Sequence, residues 1–203
     1  MDLTTVTRVK ATGQGFSGTD QDTLLAQIVA QVSAAAEKYM DRGIEYTSRT
    51  EYFNIEPGQT VVRLHAFPAI ANVAVYNDTA HQTGSYTQFP ASTQMDASQY
   101  GIDTARGLLI FDQTPPQPGA NVLKVTYTGG MSATATSAAN FIAAFPDIAS
   151  ALDLWAVYVC NQAKQPGVNS VSIDGASAAI TVFTMPTVTR DTLNAYRTKL
   201  GTL

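Results

Sequence analysis

Side chains that usually carry chemistry are scarce in this chain. It holds one cysteine (Cys160), one tryptophan (Trp155) and two histidines (His65 and His81). A lone thiol cannot close an internal disulfide, and neither histidine has a second His or Cys at ligand spacing, so a zinc site is not expected. Charge is sparse as well, at 14% of residues, and the balance is slightly acidic, with a net charge of -4. That excludes the basic footprint needed to grip a phosphate backbone by counterion release. No apolar run approaches membrane-spanning length, and Met1-Asp2-Leu3-Thr4-Thr5 lacks the basic and apolar regions of a signal peptide. The expectation is a protein folded in the cytoplasm with no membrane partner, in which the Asn77-Asp78-Thr79 sequon is an ordinary turn.

The chain is nonetheless well supplied for a core, with 45% hydrophobic residues over 203 positions. So little charge on so much surface implies that neighbours cover part of it. Thr19 to Arg42 reads as a long amphipathic helix. Thr19 and Asp22 suggest a capping box, with helix from about Asp20, and Leu24, Leu25, Ile28, Val32, Ala35, Ala36 and Tyr39 recur at helical spacing. Lys38 and Arg42 suit its last turn and Gly43 its exit. Ala26, Ala30 and Ala34 form a smooth second ridge, open to close approach by another helix.

Before that helix, Leu3, Val6 and Val9 predict a short helix and Gly13 to Gly18 a loop. From Ile44 to Thr128 the period changes to two, predicting antiparallel strands around Thr50–Phe53, Thr60–Leu64, Ile70–Tyr76, Tyr100–Asp103, Leu108–Phe111 and Val122–Tyr127. Glu56-Pro57-Gly58-Gln59 and Thr104-Ala105-Arg106-Gly107 are the turn signals, and the prolines of 114–119 interrupt any ladder. Ser132 to Asn140 is a low-complexity connector. Asp147 then heads a helix carrying Ile148, Ala151, Leu152, Trp155, Tyr158 and Val159, the natural partner of the first long helix. Val168 to Phe183 is a hairpin or an extended arm. A last helix after Pro186 places Val188, Leu193, Tyr196 and Leu200 on one side, with Arg190, Arg197 and Lys199 more exposed.

The chemical motifs fail on context. Gly13-Gln14-Gly15-Phe16-Ser17-Gly18 is literally G-x-G-x-x-G, but a dinucleotide site needs a buried parallel strand ahead of it and a second βαβ unit behind it. No nucleophile elbow accompanies the many serines, and His65 reads as a partly buried strand histidine. Asp103, Asp112, Asp147 and Asp153 fall in turns, caps or helix faces, so no carboxylate pair stands out. Arg8 and Lys10 read as a solvated helix face. No catalytic residue, metal or cofactor is assigned. Tyr52, Tyr76, Tyr86 and Tyr100 could instead form an aromatic platform for a carbohydrate or other ligand, the alternative reading of the strands.

The layout resembles the head-to-tail connector (adaptor, or head-completion) proteins of tailed bacteriophages. The resemblance is carried by Asp2-Leu3-Thr4-Thr5-Val6, by Gly18-Thr19-Asp20-Gln21-Asp22-Thr23-Leu24-Leu25 and by Ala34-Ala35-Ala36-Glu37-Lys38-Tyr39-Met40-Asp41-Arg42. Gln165-Pro166-Gly167, the Ser-rich stretch from Ser170 to Asp174 and Leu193-Asn194-Ala195-Tyr196-Arg197 add to it. It implies a structural protein, not an enzyme, located in the virion neck after assembly in the host cytoplasm. About twelve copies would ring the channel beneath the portal, meet a tail terminator or stopper protein below, and let double-stranded DNA pass without sequence specificity. The expected fold is α+β, a small helical bundle from both chain ends (1–43 and 140–203) carrying an inserted antiparallel β-domain (44–130), with a flexible linker at 131–139. Expected portal or subunit contacts are Leu193, Tyr196, Arg197, Arg190, Ala26 and Ala30.

Overall fold

A computed structural model describes residues 1–13, 15–16, 18–78, 89–111, 116–163, 170–173, 176–179 and 184–197. The fold is α+β, and the chain divides into two units: Arg42–Thr136 forms one, and Met1–Asp41 with Ser137–Leu203 forms the other. Among the described residues no single helix is long and apolar enough to cross a membrane.

The unit at 42–136 contains β1 (Thr47–Ile55), β2 (Val61–Arg63), β3 (Ala69–Asn77), β4 (Tyr100–Asp103), β5 (Leu108–Phe111) and β6 (Gly119–Gly130). All pairing among them is antiparallel, in two sheets of order β1-β6-β3 and β2-β5-β4. The period-two pattern is legible in the core, where Val62, Leu64, Val75, Leu109, Phe111, Val122, Leu123 and Val125 pack together. Proline-free β6 runs longer than its alternation suggested, through Gly129 and Gly130, because both neighbours need those residues: Gly129 opposes Thr47 and Ile70. Asn121, at φ 53°, takes the left-handed conformation that Asn tolerates, and its N–H donates to Asn54 Oδ1 at 2.8 Å, where the β1 register shifts.

One polar network crosses this core. The Tyr127 hydroxyl donates to Glu51 Oε1 (2.6 Å) and accepts from the Ala66 N–H (2.9 Å), while Glu51 Oε2 accepts from the His65 N–H (3.1 Å). The His65 carbonyl in turn accepts from the Gly43 N–H at 2.9 Å. His65 is thus a backbone tie just beyond β2 with an exposed side chain, not a buried strand histidine. Gly43 is not the helix exit. Asp41, at φ 52°, takes that role, and a Cβ on Gly43 would lie 2.8 Å from Ala66 Cβ. Arg42 is likewise no helix-terminal charge: its Nη2 donates to the Phe67 carbonyl at 2.6 Å and its guanidinium lies 4.1 Å from the Phe67 ring centroid.

The other unit contains α1 (Val6–Thr12), α2 (Asp22–Met40), α3 (Ala138–Ala144), α4 (Pro146–Ala163), a hairpin of β7 (Ser170–Ile173) and β8 (Ala176–Ala179), and α5 (Thr187–Tyr196). The expected capping box is absent. Gln21 is the N-cap of α2 and makes no side-chain cap bond, and Asp22, the acid of the expected box, pairs with Lys10 of α1. Helix α3 begins at Ala138, where Ser137 accepts from the Asn140 N–H, so the last part of the Ser/Ala/Thr connector is helical. Helix α4 starts on Pro146, whose missing N–H costs nothing in a first turn. It packs against α1, α2, α3 and α5 through Ile148, Ala151, Leu152, Trp155, Ala156, Val159 and Cys160. Tyr158, expected on that buried stripe, is 38% exposed.

Arg8 and Asp153 change roles too. Asp153 is buried on α4, where it accepts from the Thr4 hydroxyl and pairs with Arg8 Nη2 at 2.8 Å, so Arg8 is a structural ion pair. Beside it the Leu3 N–H donates to the buried Ser33 hydroxyl at 2.9 Å. These bonds join α4 and α2 to the first residues of the chain.

Two outcomes are expected. In Gly129→Ala the new Cβ would fall 2.5 Å from the Tyr127 ring and 2.6 Å from the Ala66 carbonyl, so denaturation should report a loss of about 2 kcal/mol or more. Burial first, and the bond to Glu51 second, raise the Tyr127 pKa. The folded state therefore holds that proton more tightly, and the stabilisation is present below about pH 10 and lost as pH rises further. The urea midpoint should fall more steeply above pH 10 in the parent than in Tyr127→Phe.

Candidate interaction site on the helical unit

The residues expected to meet partners separate by burial. Leu193 is fully buried within its own unit, so its side chain holds α5 in place and does not face a partner. The reason is angular: Thr189, Leu193 and Tyr196 share one stripe of α5, and Thr189 Oγ1 donates to the Ala151 carbonyl at 2.9 Å. Val188 lies off that stripe and is 64% exposed, while Leu200 and Lys199 fall outside the described residues. Arg190 and Arg197 are exposed, and so are Ala26 and Ala30 on the outer face of α2. Tyr196 is half-buried, packs edge-on to Phe145 at 5.9 Å and donates to Asp147 Oδ2 at 2.7 Å. Asp147 thus ties α4 to α5 from the first turn of α4.

An open cleft of about 470 Å³ lies beside α2, α4 and the two ends of α5, lined by Ala35, Lys38, Tyr39, Trp155, Met185 and Arg197. Its floor is apolar and its charged groups, Lys38 and Arg197, are both positive. Tyr39 organises one wall: its hydroxyl donates to Asn194 Oδ1 at 2.6 Å, and the Arg197 guanidinium lies 5.1 Å from its ring centroid. Sequence reasoning missed this cleft because Lys38 and Arg197 are 159 positions apart, each ordinary on its own helix.

Of the alternative aromatic platform, Tyr52 and Tyr76 come together. Tyr52 and Tyr76 both oppose Lys124 across β1-β6-β3, with Lys124 Nζ 4.7 Å from the Tyr76 ring and Phe89 5.8 Å from Tyr52. Tyr100 packs on the core instead and donates to the Val73 carbonyl, and Tyr86 lies outside the described residues. The glycine motif follows α1, not a strand. The Gly13 N–H closes that helix on the Val9 carbonyl, and a Cβ there would strike the Phe16 ring. Among the described residues no three His, Cys, Asp or Glu side chains cluster in a way that could hold a metal.

No family model and no curated protein matches the sequence. Solved structures do match the fold. One is a chain of the neck of a native gene transfer agent particle computed with C12 symmetry, 18% identical, with a TM-score of 0.56 over 89% of this chain and 85% of that one. A second, from the neck of the empty particle computed with C6 symmetry, is 19% identical with a TM-score of 0.56 over 94% and 85%. A third, from the virion of the native particle, is 17% identical with a TM-score of 0.55 over 94% and 84%. At these identities the likeness defines a shared fold.

The Tyr196 phenol gives a local check on the α4–α5 tie. Its pKa is raised first by the hydrogen bond to Asp147 and then by burial. In Asp147→Asn its titration, followed by NMR of ring-labelled tyrosine, should move down towards the ordinary value near 10.

Proposed function

We propose that this chain is a structural, non-enzymatic component of the neck of a tailed-phage-like particle. The observation that carries the reading is the fold shared over most of both chains with neck proteins of a gene transfer agent. More finely, the chain acts as a head-to-tail adaptor. About twelve copies ring the channel beneath the portal, a number suggested by the C12 symmetry of one neighbour. The helices of both chain ends form the connector domain, and the strands form a domain inserted within it. The ring extends the DNA channel and offers a surface to a tail terminator or stopper protein. The protein is assembled in the host cytoplasm and retained in the virion.

Several features support this role. With a net charge of -4, the chain suits a conduit through which DNA slides, since a Lys/Arg-lined wall would gain affinity by counterion release and hold the duplex. Ala26 and Ala30 give a smooth exposed ridge on α2 for a neighbouring subunit, and Arg190 and Tyr196 on α5, with Arg197 just past its end, are side chains of the kind that anchor interfaces.

The test is to mix the protein with its candidate portal and image the product by electron microscopy. Monodisperse rings seated on the portal are expected, whereas persistent monomer that never associates would sink the proposal. Ala30→Glu, on an exposed position, should leave the helical content unchanged and suppress ring formation.

A further inference from the structure

We propose that the cleft beside α2, α4 and α5 is a receptor for a short acidic, apolar peptide segment of a partner protein in the assembly. This rests on the reading of the chain as a neck component and adds the chemistry of the partner.

The argument starts from charge. In a chain of net charge -4, the charged side chains lining this cleft among the described residues are the cations Lys38 and Arg197. Lys38 is exposed at the end of α2, and Arg197 rests on the face of Tyr39. Both groups line the same cleft with the same sign, so a negative group seated there is attracted by each. An entering carboxylate accepts hydrogen bonds from both. Below the cations the wall is Ala35, Trp155 and Met185. Ala35 leaves room, Trp155 offers a rigid aromatic edge, and Met185 adapts its shape, a combination suited to an inserted Leu or Phe side chain.

The volume of about 470 Å³ is that of a pocket for one or two large side chains, not for a folded domain. A basic segment would add to the positive charge of the lining and a neutral one would gain nothing from it, so charge selects the occupant. The wall is also held in advance. Tyr39 is fixed by Asn194 and α5 is fixed to α4 by the Tyr196–Asp147 bond, so little ordering cost falls on binding.

Trp155 is the sole tryptophan of the chain and borders this cleft while only 2% exposed, so its fluorescence, with titration calorimetry beside it, reports occupancy. The probes are three peptides, acetyl-Leu-Glu-Phe-Asp-Leu-amide and the same sequence with Gln and Asn, or with two Lys, at the acidic positions. The acidic peptide should shift Trp155 emission saturably and bind about tenfold more tightly than the neutral one at low salt, with the difference shrinking as salt is added. The Lys peptide should give no saturable shift. The double variant Lys38→Glu, Arg197→Glu alters exposed positions and should keep the parent circular dichroism while losing the preference for acid. Equal binding of acidic and neutral peptides, or no saturable shift in the millimolar range, overturns the proposal. So does Trp155 emission that depends on protein concentration and not on peptide, because the cleft then belongs to a second copy. Ring formation on the portal is measured on the same samples. Rings without peptide binding reject the cleft assignment alone, and peptide binding without rings rejects the neck reading.

Discussion

The β unit depends on one buried phenol. Tyr127 lies on β6, the strand that pairs with both β1 and β3, and its hydroxyl reaches Glu51 on β1 and the backbone of Ala66 beyond β2. Glu51 is half-buried at the edge of the sheet core, and both its oxygens are occupied, one accepting from the phenol and the other from the His65 amide. The network therefore fixes where the chain turns from β2 towards β3. Gly129 serves the same end, since the space a side chain would need there is taken by the Tyr127 ring.

In the helical unit the equivalent position belongs to Asp153. A buried acid on α4 is tolerable because Thr4 and Arg8 supply donors, and both lie at the far end of the sequence. A second ion pair joins α1 to α2, at the end of α2 that has no side-chain cap. Asp22, in the first turn of α2, pairs with Lys10 on α1.

What the sequence made legible was whatever depends on period and on turn chemistry. The short helix at Val6–Thr12, the Thr104–Gly107 hairpin, the strand after Pro68 and the pairing of α2 with α4 all follow from residues close in sequence or from a repeated apolar pattern. What it hid depends on partners distant in the chain. Arg8 looked solvated because Asp153 is 145 positions away. Gly43 looked like a helix exit because its tight approach to Ala66 cannot be read locally. Leu193 was recognised as apolar and important, but an apolar stripe serves a core and an interface equally well, and only burial separates them. The cleft was invisible for the same reason, its two cations coming from opposite ends of the chain.

The division of the chain into residues 42–136 and the two flanking segments has a consequence for synthesis. Strands β1 to β6 are complete in sequence before α4 begins, so their network can close while the rest of the chain is still being made. Helix α2 emerges earlier yet has to wait, with its apolar stripe uncovered, until Trp155, Leu152 and finally Leu193 follow more than a hundred residues later. The Ala-rich composition of α2 suits that interval. High intrinsic helicity lets it form early, while the alanines of its outer face, Ala26, Ala30 and Ala34, keep the rest of its surface from adding to the exposed stripe.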